Sequence, residues 1–148
     1  MADTRLPALL RIGSMRQVAT ERRLRTVQAE LDLASRRHQA ARRWHAARVA
    51  DEHAVTAGCY DNPADEQGWI ARTLQTAITT AAASEVDQSE AETSRCEAGR
   101  RAAALAVMRN EARQTLLNGQ VAAGRRAATL RKEEEAADEL PHSRTRRC

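Results

Sequence analysis

The sequence predicts an all-α protein, a long antiparallel two-helix coiled-coil hairpin whose second helix outruns the first. Three observations predict it. Only Pro7, Pro63 and Pro141 interrupt the 148 residues, and both intervals between them are rich in helix formers. The middle proline lies in the one dense turn cluster, Gly58 to Gly68. The inventory holds 31 Ala and 23 Arg against one Lys, no Phe and three aromatic residues. Leu, Ile, Val and Met total 25, too few to fill a thick core, and the strand formers never cluster. A thin apolar seam between two helices fits these numbers and an α/β enzyme does not. Disorder is the competing reading, given 30% charged residues. A net charge of only +4 and the scarcity of Pro and Ser argue against it.

The first helix is expected over about residues 7–57, opening on Pro7, which a first helical turn tolerates. Leu6, Leu10, Leu24, Val27, Leu31, Ala34 and Ala41 recur at heptad spacing, with Gly13, Gln17 and Thr20 as interruptions. His38 and His45 occupy later seam positions. Leu33, Ala40, Trp44 and Ala47 form a second flank. The turn is expected at about residues 58–66.

The second helix is expected over about residues 67–139, with a basic, frayed tail at 140–148. Trp69, Ile70, Leu74, Ala77, Ile78 and Ala81 open its predicted seam. The seam fades through Glu85–Ser94 and returns with Ala98, Ala102, Leu105, Ala112 and Leu116. Gly99, Gly119 and Gly124 each cost about 1 kcal/mol relative to Ala in a helix. They read as sites of bending or of close approach by a partner. With the turn centred near Asn62, residue 8 lies opposite about residue 117. Residues 118–140 then project as a lone helix of roughly 35 Å. Its stripe of Val121, Ala128 and Leu130 is a candidate docking surface.

Charge follows the same axis. Residues 1–57 carry 11 basic and 6 acidic side chains, residues 58–94 carry 1 and 7, and residues 95–148 carry 12 and 7. A hairpin gathers both basic segments at one end and leaves the acidic segment at the other. Either this is a solvated surface, or the two ends take different partners.

Chemistry-bearing motifs are missing. The chain has no phosphate-binding glycine loop, no HExxH and no CxxC. His38, His45 and His53 are spaced seven and eight apart, where one metal cannot bridge them. Cys59, Cys96 and Cys148 form no tight pair, which with no visible secretory signal favours reduced thiols in the cytoplasm. No cofactor is expected, and an enzyme is the least favoured class. Arg pairs at 22–23, 36–37, 42–43, 100–101 and 125–126 could touch phosphates. Their interleaving with acids, the small net charge and the missing aromatic interleaving argue against nucleic acid. The aromatic residues Trp44, Tyr60 and Trp69 all fall in or near the turn, as a small stapling core or as interface anchors.

Three stretches carry a family likeness. They are Leu6-Pro7-Ala8-Leu9-Leu10-Arg11-Ile12, Gly68 through Ile78, and Arg125-Arg126 through Glu139. With the length and the predicted hairpin, they make the chain resemble the FliJ/YscO stalk proteins of type III export machines. The resemblance implies a non-enzymatic lever, cytoplasmic and peripheral to the inner-membrane secretion apparatus. Its paired ends would enter a hexameric export ATPase, and its tip would meet the cytoplasmic domain of the export-gate membrane protein. Some members also bind secretion chaperones. On that reading Leu9, Leu10, Ile12, Arg16, Val121, Arg125, Leu130 and Arg131 serve the ATPase end. Trp44, Tyr60, Trp69 and Ile70 serve the gate end. The sequence departs from the pattern in having fewer aromatics near the tip and no Phe in helix two. A generic adaptor or chaperone-binding coiled coil, and a basic nucleic-acid arm, are the alternative readings.

Overall fold

The computed structural model describes residues 5–139, which form an all-α helical hairpin of α1 (Arg5–Asp61) and the longer α2 (Glu66–Glu139). The expected tail at 140–148 lies outside the described residues. α1 runs four residues further than the sequence suggests, because Gly58 continues the helix. Asn62 N–H donates to the Gly58 carbonyl at 3.2 Å, the last helical bond before Pro63 stops the chain. Asp65 N–H closes the turn on the Asn62 carbonyl at 3.1 Å. Asp65 then caps α2: its Oδ1 accepts from the Gln67 N–H at 3.1 Å, satisfying a donor that the first turn leaves free.

Packing divides the chain into two compact units. One is Arg22–Leu105, containing the turn; the other joins α1 up to Glu21 with α2 from Ala106 onward. The same register runs through each. In the first unit Cys59 meets Gly68 and His38 bonds Ser89; in the second Gly13 meets Gln114. The residue numbers of each pair add to 127, so the hairpin is centred between Pro63 and Ala64.

In the Arg22–Leu105 unit, Leu24, Val27, Leu31, Ala34, His38, Ala41, His45, Arg48, Glu52, Val55 and Cys59 are all at least half-buried. This is strict alternation of three and four residues, a heptad seam. The expected stripe of α1, with its two histidines, lies on it. Leu33, Ala40, Trp44 and Ala47 are exposed and form no part of the core.

The seam of α2 is a correction. It is Gly68, Arg72, Gln75, Thr79, Ala82, Val86, Ser89, Thr93 and Cys96, resuming at Ala103. Ile70, Leu74, Ala77, Ile78 and Ala81 point away from it, as do Ala98, Ala102 and Leu105. The largest apolar side chains of α2 therefore sit outside the hairpin, and small or polar residues sit inside it. The buried residues of the unit are Ala34, Ala41, Cys59, Ala82, Ser89 and Ala103. Such side chains bring the helices close but bury little area.

The other unit is thinner still. Leu6, Leu10, Gly13, Gln17 and Thr20 face Val107, Asn110, Gln114, Leu117 and Val121. Asn110 Nδ2 donates to Thr20 Oγ1 at 3.3 Å, and Gln17 Nε2 donates to Glu21 at 2.8 Å and Glu111 at 3.4 Å. Gln17 Oε1 is buried without a partner. The register sets Leu6 opposite Val121, and every described residue from 122 to 138 is exposed. Val121 thus belongs to the paired part. The continuously exposed segment starts after it rather than at 118. Its stripe is also corrected: nine residues at 100° each turn Leu130 to the face opposite Val121. Leu130 instead continues the exposed line of Leu116 and Ala123. Among the described residues nothing would lie within 4 Å of a Cβ added at Gly119 or Gly124, so none of their backbone approaches these glycines closely.

Candidate functional site

The tip is held by its own chemistry. Trp69 Nε1 donates to the Pro63 carbonyl at 3.1 Å, tying α2 back over the turn. Tyr60 meets Trp69 edge to face, centroids 6.1 Å apart, and the Arg72 guanidinium lies 5.3 Å from the Trp69 ring centre. Gly68 packs against the Asp65 cap here. A Cβ on it would stand 3.1 Å from Asp65 Oδ2 and 3.6 Å from the buried Cys59 sulfur. Trp69 therefore staples the turn, while Tyr60 and Ile70 remain exposed on its surface. Asp61, Asp65 and Glu66 surround them, so the tip is acidic and aromatic at once.

Trp44 does not join this group. It lies fifteen residues before Cys59, roughly 22 Å along the helix. The Arg48 guanidinium covers one face of its ring at 4.2 Å from the centroid. Arg48 also bridges Asp51 at 3.1 Å, and its carbonyl accepts from Gln75 Nε2 at 3.2 Å. Trp44 lines a shallow groove with Arg37, Ala40 and Ala41 of α1 and Glu85, Gln88, Ser89 and Glu92 of α2. Arg37 bridges Glu92 across it at 3.4 Å. Arg48 went unnoticed in the sequence; its place four residues after Trp44 on a helix was the available signal.

At the far end, Leu9, Ile12 and Arg16 are exposed on α1, whereas Leu10 is half-buried in the seam. Val121 is likewise in the seam, and Arg125, Leu130 and Arg131 stand exposed on the segment beyond it. The proposed ATPase-end residues thus split into two packing residues and six surface residues. Charge on the segment runs from Arg125, Arg126, Arg131 and Lys132 to Glu133, Glu134, Glu135 and Asp138. Acidic side chains at a helix C-terminus oppose its dipole.

One seam carboxylate has a perturbed environment. Thr76 Oγ1 donates to Glu52 Oε1 at 2.8 Å. That bond first, then the Thr79 hydroxyl and the charges of His53 and Arg72, hold the Glu52 carboxyl below its ordinary 4.5, against a small opposing effect of burial. The folded value is depressed. Its contribution to stability is therefore present above about pH 4.5 and lost as pH falls through the folded value. Urea midpoints of the wild type and Glu52→Gln should converge on acidification through that window. A difference that stays constant would reject the assignment.

Among the described residues, no group of three or more His, Cys, Asp and Glu is placed to hold a metal, and no helix is long and apolar enough to cross a membrane. Searches against protein-family models, curated proteins and solved structures find no match to this chain.

Proposed function

We propose that this chain is a non-enzymatic coupling component of a type III export apparatus. It links the hexameric export ATPase to the cytoplasmic domain of the export-gate membrane protein, with secretion chaperones as further clients. The observation that carries the reading is the run of α2 after Val121, exposed at every described position. A single charged helix gains nothing from tertiary packing, so its order depends on a surrounding partner. A ring pore would enclose it on all sides. At the other end, an acidic tip with exposed Tyr60 and Ile70 offers aromatic and aliphatic anchors to a different partner. Two chemically distinct ends on one hairpin suit transmission between two proteins, in which differential contacts shift each partner's conformational population.

The test uses two variants. Arg125→Glu with Leu130→Ala and Arg131→Glu should weaken binding to the cognate export ATPase by at least about ten-fold and abolish any stimulation of hydrolysis, leaving gate binding intact. Tyr60→Ala with Ile70→Ala should do the converse. If the wild-type chain neither binds nor accelerates the ATPase, the proposal fails.

A further inference from the structure

We propose that two copies of this chain associate antiparallel, α2 on α2, through an exposed stripe that runs from Arg109 to Glu134. The unit that joins α1 up to Glu21 with α2 from Ala106 has no buried residue among those described. Its large apolar side chains lie outside instead: Leu116 is 69% exposed and Leu130 58%. Both fall on one heptad-spaced line, Leu116, Gln120, Ala123, Ala127 and Leu130, exposed throughout. Continued in the same steps, the line carries Arg113 and Arg109 at one end and Glu134 at the other. Its centre lies about 110° around α2 from the seam that faces α1, so α1 and a further helix can pack on α2 together.

A stripe that is basic at one end, apolar in the middle and acidic at the other complements its own reverse. Among the described residues, Arg109, Arg113, Glu133 and Glu134 make no ion pair within the chain. A two-fold axis at right angles to the helix, level with the Val121–Ala122 peptide bond, lays α2 of one copy on α2 of the other. Arg109 of one copy then faces Glu134 of the other. Leu116 faces Ala127 and Gln120 faces Ala123, a longer side chain over an alanine in each layer. Arg113 faces Leu130, which its stem covers while its head reaches toward Glu133 and Glu134. Every pairing occurs twice, as an isologous interface requires.

The remaining charges of the segment fit the same arrangement. Arg126 and Arg131 flank the stripe and come level with Leu117 and Ala112 of the other copy, so like charges are not set together. Arg125 and Lys132 point to the opposite side of α2. In a parallel pair Arg109, Arg113 and Glu134 would each meet themselves. On α1 the register places Leu9, Ile12 and Arg16 on the side that borders the stripe, where they adjoin the other copy's helix. Association covers Leu130, which the coupling reading gives to the ATPase, so the two occupancies exclude each other.

Sedimentation equilibrium of the reduced full-length chain tests this without any export partner, so failure here leaves the coupling role untouched. The expected result is a monomer–dimer equilibrium with Kd on the order of 100 µM, suited to a small interface. Leu116→Ala with Leu130→Ala should weaken it by at least about ten-fold, with unchanged helical circular dichroism because both side chains are exposed and Ala favours helix. Arg109→Glu should weaken it, and adding Glu134→Arg should restore it. A chain still monomeric at about 1 mM, or a dimer indifferent to Leu116 and Leu130, overturns the proposal. A double charge reversal that does not restore association overturns the antiparallel arrangement.

Discussion

Replacing Gly13, Gln17, Asn110 and Gln114 together by Leu should stabilise the far unit by about 3–5 kcal/mol, the largest gain available in the molecule. The four positions make two adjacent layers of the seam. Gly13 faces Gln114, whose Cγ would lie 3.5 Å from an added Cβ, an ordinary contact. Gln17 buries its Oε1 unpartnered, a cost of about 1–3 kcal/mol by itself. Gly inside a helix costs about 1 kcal/mol more. Leu layers would remove both penalties and add apolar burial on each side. Differential scanning calorimetry should show a rise in Tm of roughly 10 °C, on the scale of 2–4 °C per kcal/mol for a chain of this size. An unchanged or lowered Tm would mean the layers are not opposed as described. Polar layers hold register at a cost in stability, and a marginal unit can open to a partner. The stabilised variant should accordingly bind partners through this end no better than the wild type, despite melting later.

How far the sequence reveals this molecule depends on the helix. In α1 the seam was legible through Leu24, Val27, Leu31 and Ala34, because there apolar side chains recur at heptad spacing on the face toward the partner helix. His38 and His45 could be placed by continuing the count. In α2 the same rule points to the wrong face. Ile70, Leu74 and Ile78 are its largest aliphatic residues near the turn, yet Gly68, Arg72, Gln75 and Thr79 face α1. The register there follows from the turn: Cys59 and Gly68 must close on each other, and heptad spacing propagates from them. Gly68 was the available clue, since an added Cβ there would crowd the Asp65 carboxylate that caps α2, at 3.1 Å. Trp44 and Ile78 were both visible as apolar residues. Their sharing of one side was not, because that depends on antiparallel register rather than on the periodicity of either helix. The staple from Trp69 to the Pro63 carbonyl depends on the path of four turn residues, which composition does not specify.

Leu31→Asp should unfold the Arg22–Leu105 unit, whereas Leu105→Asp should cost less than about 0.5 kcal/mol. Both are leucines in apolar-looking stretches. Leu31 is half-buried, and the register sets it opposite Cys96, between the Val27 and Ala34 layers. Leu105 is 51% exposed on the outer surface of α2. A carboxylate at Leu31 would be desolvated with no basic group in its layer, at a cost of about 3 kcal/mol or more. A hairpin whose buried residues are mostly alanines has little margin to absorb that loss. Circular dichroism at 222 nm should show the Leu31 variant largely melted at room temperature and the Leu105 variant near wild type. Because the two helices are so nearly featureless in hydrophobic periodicity, this pair of substitutions reads the phase of the seam directly. Equal effects from both would mean that the helices rotate freely against each other.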